Sequence, residues 1–152
     1  MALVVQKFGG SSVRDAERVR NVAQIVTDTY KAGNSVVVVV SAQGDTTDDL
    51  IEKAAELNPN ASKREMDMLL SSGEQQSCAL LAMTIEAMGY PAISLTGWQA
   101  GFFTTSNYSN ARIHRVDTER LQAELDRRSI VVVAGFQGLN KFDDITTLGR
   151  GG

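Results

Sequence analysis

Lys7-Phe8-Gly9-Gly10-Ser11-Ser12 separates two segments of opposite character. Ahead of it, Leu3-Val4-Val5 is a short apolar run suited to a buried strand. Behind it, Ala16, Val19, Val22, Ala23, Val26 and Tyr30 recur at the three-and-four spacing of a helix with one apolar face. A strand that turns through two glycines into a helix leaves backbone N–H groups without intrahelical partners. The helix dipole adds positive potential at the same place. Gly9 and Gly10 permit positive φ and close approach of a ligand, and Lys7 adds a mobile ammonium. The stretch reads as a phosphate cradle. Taken alone it reads more readily as a plain tight turn, the commoner use of such a pair, with Lys7 an ordinary strand-end lysine. It is neither G-x-x-x-x-G-K-[ST] nor G-x-G-x-x-G.

Two further segments repeat the arrangement. Val36 to Val40 suits a strand apolar on both faces, as in a parallel sheet covered by helices. It runs into the polar loop Ser41-Ala42-Gln43-Gly44-Asp45-Thr46-Thr47-Asp48. Ile130 to Ala134 is another buried strand, followed by Gly135-Phe136-Gln137-Gly138, and Pro91 precedes a strand from Ala92 to Leu95. The first helix is expected to stop at Ala32-Gly33-Asn34, with Gly33 in the left-handed cap position and Ser12 and Asp15 approximating a capping box in front. A helix carrying Leu50, Ile51, Ala54, Ala55 and Leu57 breaks at Asn58-Pro59-Asn60. A short helix from Lys63 to Leu70 is expected next, then Ser71-Ser72-Gly73-Glu74. A helix from Gln75 to Met88 follows, with Cys78, Leu81, Ala82, Ile85 and Met88 on its core face. Gly97 to Asn110 reads as loop with an edge strand or hairpin near Phe102 to Thr105, and Thr118 as the cap of a helix bearing Leu121, Ala123 and Leu125.

Strands alternating with helices indicate βαβ units and a parallel sheet. The crossovers of such a sheet bring the carboxyl ends of its strands to one edge, where ligands bind. The loops Lys7 to Ser12, Ser41 to Thr47 and Gly135 to Gly138 are therefore expected on one rim. That convergence turns a weak motif into a site.

The 152 residues, 43% hydrophobic and 22% charged, suffice for one domain with a real core. A net charge of −3 argues against nucleic-acid and anionic-membrane partners. No apolar run is long enough for a membrane span, and no secretory signal is recognisable. The single Cys78 excludes an internal disulfide and suits a reducing compartment, so a cytoplasmic location is expected. His114, the one histidine, has no metal-ligand partners and supports neither a metal site nor a Ser-His-Asp triad. Cys78 falls on an apolar stripe and reads as core, and Met66, Met68, Met83 and Met88 as core or interface. Trp98 covers core or lines a subunit contact.

Asp45, Thr46 and Thr47 offer a carboxylate and two hydroxyls that serve as helix cap, ligand contacts or both. Glu74 is placed at a helix start, as a first-turn acid or as a grip for a cation such as an ammonium. Arg150, among Gly149, Gly151 and Gly152, offers a bidentate fork for carboxylate or phosphate, or belongs to a flexible tail.

Further stretches complete a pattern: Arg64-Glu65-Met66-Asp67-Met68-Leu69-Leu70 through Gly73-Glu74, Gly97 to Gly101, Asn110-Ala111-Arg112, and Thr146-Thr147-Leu148-Gly149-Arg150-Gly151-Gly152. With the three rim loops, they make the chain resemble, end to end, the aspartokinases of the amino-acid kinase family. Gln43 stands where that family usually carries Met, a departure expected to have little consequence. The resemblance implies an α/β fold, a three-layer αβα sandwich with a mainly parallel central sheet. Residues 1–152 would be its N-terminal, aspartate-side and phosphate-loop part. A Ser-Asp with a catalytic Asp, the nucleoside-binding half and regulatory ACT domains would lie beyond it.

The resemblance further implies transfer of the γ-phosphoryl of ATP to the β-carboxylate of L-aspartate. The product, 4-phospho-L-aspartate, enters the route to lysine, threonine, methionine and diaminopimelate. Lys7 would be catalytic, neutralising charge on the transferred phosphoryl, and Phe8, Gly9, Gly10 and Ser11 would hold the nucleotide phosphates. Ser41, Asp45, Thr46, Thr47 and Glu74 would line the aspartate side, Glu74 facing the ammonium, with Arg150 and Gly151 at the carboxylate. Mg²⁺ would travel with ATP. The acceptor carboxylate is ionised at neutral pH, so no general base is needed. A homo-oligomer is expected of the longer protein. The 152-residue piece is expected to be inactive alone and, with apolar surface uncovered, to associate. A non-catalytic anion- or amino-acid-binding module, an assembly fragment, and a kinase acting on glutamate are the rival readings.

Overall fold

Five consecutive valines, Val36 to Val40, form the strand from which the sheet extends on both sides. In the computed structural model, which describes residues 2–149, β2 (Ser35–Val40) pairs in parallel with β1 (Leu3–Phe8) and with β6 (Ile130–Ala134). The strand β3 (Ala92–Leu95) joins β6, giving the order β1-β2-β6-β3, parallel throughout. Alternate valines of β2 serve opposite layers. Val36, Val38 and Val40 pack with Val19, Val22 and Val26 of α1 (Ala16–Lys31) and with Cys78, Leu81 and Ile85 of α3 (Lys63–Ala87). Val37, with Val131 and Val133, packs with Leu125 of α4 (Glu119–Asp126). Strand residues apolar on both faces require this double cover. The expected three layers are present.

The helix ends follow local chemistry, with two departures from expectation. Asp15, not Ser12, caps α1 by accepting the Arg18 N–H at 2.9 Å, because Ser12 lies in a separate 3-10 turn, Gly10–Val13. Gly33 takes φ +98 just past the end of α1, as expected. The helix α2 (Thr46–Leu57) stops before Pro59. The second departure is larger: Ser71-Ser72-Gly73-Glu74 does not interrupt α3. The hydroxyls of Ser71 and Ser72 fold back onto the carbonyls of Met68 and Leu69, at 2.9 and 2.6 Å, and are satisfied inside the helix. Gly73 lets α3 approach the loop after β2, since a Cβ there would lie 3.0 Å from the Ala42 Cβ.

A second sheet, in the order β5-β4-β7-β8, lies beyond the carboxyl ends of the first. It comprises β4 (Phe102–Thr104), β5 (Ile113–Val116), β7 (Gln137–Leu139) and β8 (Ile145–Thr147). The hairpin strand expected near Phe102 is β4, antiparallel to β5. The loop expected over Gly135 to Gly138 is shorter than foreseen, because Gln137 already belongs to β7. Thr118 stands at the N-cap of α4, but the capping oxygen is Oδ1 of Asp117, which accepts the Glu119 N–H at 3.1 Å.

Edge strand β1 leaves apolar surface open. Leu3 and Val5, on the face turned from α1, are 58% and 62% exposed. Met68 and Met83 lie on the outer surface of α3 rather than in the core. Among the described residues no helix is long and apolar enough to cross a membrane.

Candidate functional site

Parallel register builds the rim. Phe8, Val40 and Ala134 stand side by side at the ends of β1, β2 and β6, so the three following loops leave the sheet together. The Ser41 amide donates to the Phe8 carbonyl at 3.2 Å and the Gly135 amide to that of Val40 at 2.9 Å. The Gly44 amide donates to Gly10 O at 3.0 Å, fastening the first loop to the second. Gly10 cannot be another residue here, since a Cβ would sit 2.7 Å from the Ala42 carbonyl oxygen. Gly9 has open space where its Cβ would be. Among the described residues, the N–H groups of Gly9, Gly10 and Ser11 donate to no acceptor. They form an anion cradle.

The expected site residues from Lys7 to Glu74 all lie within the described part of the chain. Lys7 is exposed, one step before the rim, and makes no ion pair among the described residues. It shares the face of Val39, opposite α1 and α3, so Lys7 and Glu74 approach the rim from opposite sides of the sheet. Asp45 occupies the N-cap of α2 without accepting a cap bond; the Thr46 amide donates to Gln43 O instead, at 2.8 Å. The capping reading of Thr46 and Thr47 therefore fails, while Asp45 stands where a carboxylate favours the dipole of α2; among the described residues the side chains of all three, like the Ser41 hydroxyl, have no hydrogen-bond partner. Arg150 and Gly151 lie outside the described residues.

Glu74 needs the largest correction. It sits in the middle of α3, not at a helix start, so the first-turn acid reading falls. Its side chain is 2% exposed, and its Oε2 finds no partner. Burial pushes its carboxyl up to about 8, so at neutral pH it is mainly protonated. The adjacent Gly73 lies against the loop after β2, since a Cβ on it would meet Ala42 Cβ at 3.0 Å and Thr46 Cγ2 at 3.4 Å, which sets this turn of α3 at the level of the rim.

Two buried polar residues escaped the sequence reading. Asp67, fully buried, accepts from the Thr147 amide (3.0 Å) and hydroxyl (2.8 Å) and from the Ser109 amide (2.9 Å) and hydroxyl (3.4 Å). Gln137 accepts the Gly97 amide at 2.8 Å and donates to Ser71 O at 2.9 Å, tying β7 to α3 and to the loop after β3. The available signal was spacing: Asp67, Ser71, Glu74, Cys78, Leu81 and Ile85 form one unbroken helical stripe, all buried. Gln43 has a contact that the sequence did not signal, its Nε2 donating to Val13 O at 2.8 Å. Cys78 is a core residue whose burial pushes the thiol up to about 11. A groove of about 500 Å³ between α1 and α3 meets the rim at Gln43. No cluster of three or more His, Cys, Asp or Glu able to hold a metal occurs among the described residues.

The sequence matches the Amino acid kinase family over residues 2–152. The chain belongs to the amino acid kinase family. The aspartokinase of Geobacillus stearothermophilus is 56% identical over 152 residues, which is all of this chain and 37% of that protein. The chain thus spans little more than a third of the length of this relative. Aspartate kinase from Synechocystis superposes with a TM-score of 0.83 at 49% identity, over 99% of this chain and 24% of that one. The E. coli aspartokinase III, solved in complex with aspartate and ADP, superposes with a TM-score of 0.85 over 99% of this chain and 44% of that one. At 23% identity that likeness is one of fold. The parallel sheet and its rim are thus those of an amino acid kinase.

Proposed function

We propose that residues 1–152 form the aspartate-side and phosphate-loop part of an aspartokinase, which transfers the γ-phosphoryl of ATP to the β-carboxylate of L-aspartate. One observation carries the reading. The rim joins a cradle of free N–H donors at Gly9 to Ser11 to a buried carboxyl, Glu74, whose second oxygen lacks a partner. An amino acid supplies an ammonium for the second, and a nucleotide supplies phosphates for the first.

In the transfer, a carboxylate oxygen of aspartate bonds to the γ-phosphorus while the bond to the β,γ-bridging oxygen breaks, leaving ADP. Such chemistry asks for positioning and charge neutralisation more than covalent participation. The Phe8 to Ser11 backbone holds the phosphates, and Lys7 neutralises charge on the group in transit. Ser41, Asp45, Thr46 and Thr47 line the acceptor side. Glu74 ionises against the ammonium, and Arg150 with Gly151 holds aspartate's carboxylate. The free N–H groups and Lys7 suit nucleotide phosphates. Mg²⁺, bound with the nucleotide, supplies further charge neutralisation. On the same reading the product feeds lysine, threonine, methionine and diaminopimelate synthesis in the cytoplasm. The longer protein is a homo-oligomer with a regulatory ACT region.

The test is an assay of the chain extended to the length of its relatives, with ATP and either aspartate or glutamate. Aspartate-dependent ADP release is expected. Turnover with glutamate and none with aspartate would overturn the reading.

A further inference from the structure

We infer that Gln43 is a positioning residue that holds the phosphate loop and the acceptor-side loop in register; the inference rests on the kinase reading above. Beyond the bond from the Ser41 amide to Phe8 O where the strands end, three contacts join these loops. The Gly44 amide donates to Gly10 O, and the Ala42 carbonyl closes on Gly10. Both involve main-chain atoms at glycines, where the backbone bends easily. The third is the Gln43 side chain, whose Nε2 reaches Val13 O at the far end of the 3-10 turn. Val13 is fully buried beneath α1, so this anchor is fixed to the core.

The same residue also opens α2. Its carbonyl accepts the Thr46 amide at 2.8 Å, setting the turn that presents Asp45, Thr46 and Thr47. Gln43 therefore fastens the acceptor loop with its main chain and grips the end of the phosphate loop with its side chain. Without the side-chain bond, the two loops are joined only where the strands end, by the Ser41 amide at Phe8 O, and through Gly10 and Gly44. In a reaction that depends on in-line approach, a small relative displacement slows the transfer step while each substrate still finds its own contacts.

Methionine matches glutamine in length and lacks the N–H, so Gln43→Met isolates the bond. The test measures kcat, both KM values and the thermal midpoint in the chain extended to the length of its relatives. Gln43→Ala is a second variant, and Asn34→Ala a control. Asn34 makes the same kind of bond, Nδ2 to Thr29 O at 3.0 Å, at the opposite end of the sheet. In both Gln43 variants, kcat is expected to fall about tenfold, with each KM within about twofold of wild type. Asn34→Ala lowers the midpoint and leaves kcat unchanged.

A kcat within about twofold of wild type in both Gln43 variants overturns the inference. So does a loss that vanishes once activity is expressed per folded molecule. An active wild type with unaltered variants removes this inference alone. A wild type that does not turn over aspartate removes the kinase reading and this inference with it.

Discussion

Asp67 and Glu74 lie two turns apart on one buried stripe of α3, and their surroundings differ in every other respect. Asp67 faces the second sheet and takes four donors from Ser109 and Thr147. Glu74 sits at the level of the rim, keeps an oxygen without a partner, and is held mainly protonated by burial. Beyond it the stripe turns apolar, with Cys78, Leu81 and Ile85 over the parallel sheet. Burial of an acid therefore does not distinguish structure from function; partnership does. A buried carboxylate with a full set of donors joins elements together. One that lacks them lowers stability, and such a residue at a rim marks a place for a partner from outside.

The contrast has measurable consequences. Asp67→Ala leaves buried amide and hydroxyl donors of Thr147 unpaired, so a loss of about 4 kcal/mol is expected in urea unfolding. A loss below about 1 kcal/mol would remove Asp67 from its joining role.

Glu74 makes stability depend on pH. Its carboxyl titrates at about 8 when folded and near the ordinary 4.5 when unfolded. Between those values the folded chain holds a proton that the unfolded chain has released, so stability falls as pH rises and levels off above 8. Between pH 5 and pH 8 the decline from this group is about 3 kcal/mol. Glu74→Gln should flatten that slope. Identical slopes in wild type and variant would show that Glu74 has an ordinary carboxyl.

The same substitution should lower kcat/KM for aspartate about 100-fold while KM for ATP moves little. Equal losses for both substrates would point to general disruption instead. The smallest effect belongs to the apolar end of the stripe. Cys78, with its thiol pushed up to about 11, should resist iodoacetamide at pH 8 in the native protein and react on unfolding. Rapid native alkylation would mean that this half of α3 opens readily.

The parallel sheet was readable because its signals are local. Valine runs specify strands buried on both faces, and the Val19-Val22-Val26 spacing specifies α1. Handed crossovers then place the glycine loops on one rim with no knowledge of side-chain contacts. The continuity of α3 was obscured because Ser-Ser-Gly-Glu resembles a break. The serines are satisfied by their own helix, and Gly73 is there for close approach to Ala42. Apart from the strand near Phe102, the second sheet escaped because β7 and β8 have three residues each, and β5 is exposed throughout. That sheet is fixed by Asp67 and Gln137, through partners up to 80 residues away. The bond from Gln43 to Val13 was hidden for the same reason, since Val13 is 30 residues distant in sequence.

Calorimetric titration of aspartate into the extended chain at pH 7, in buffers of different ionisation enthalpy, counts the protons that binding displaces. Glu74 is mainly protonated before binding and, on the function proposed above, ionised against the ammonium afterwards, so about one proton released per aspartate is expected. Binding with no proton release would contradict the place given to Glu74, and with it the reading of the rim as an aspartate site.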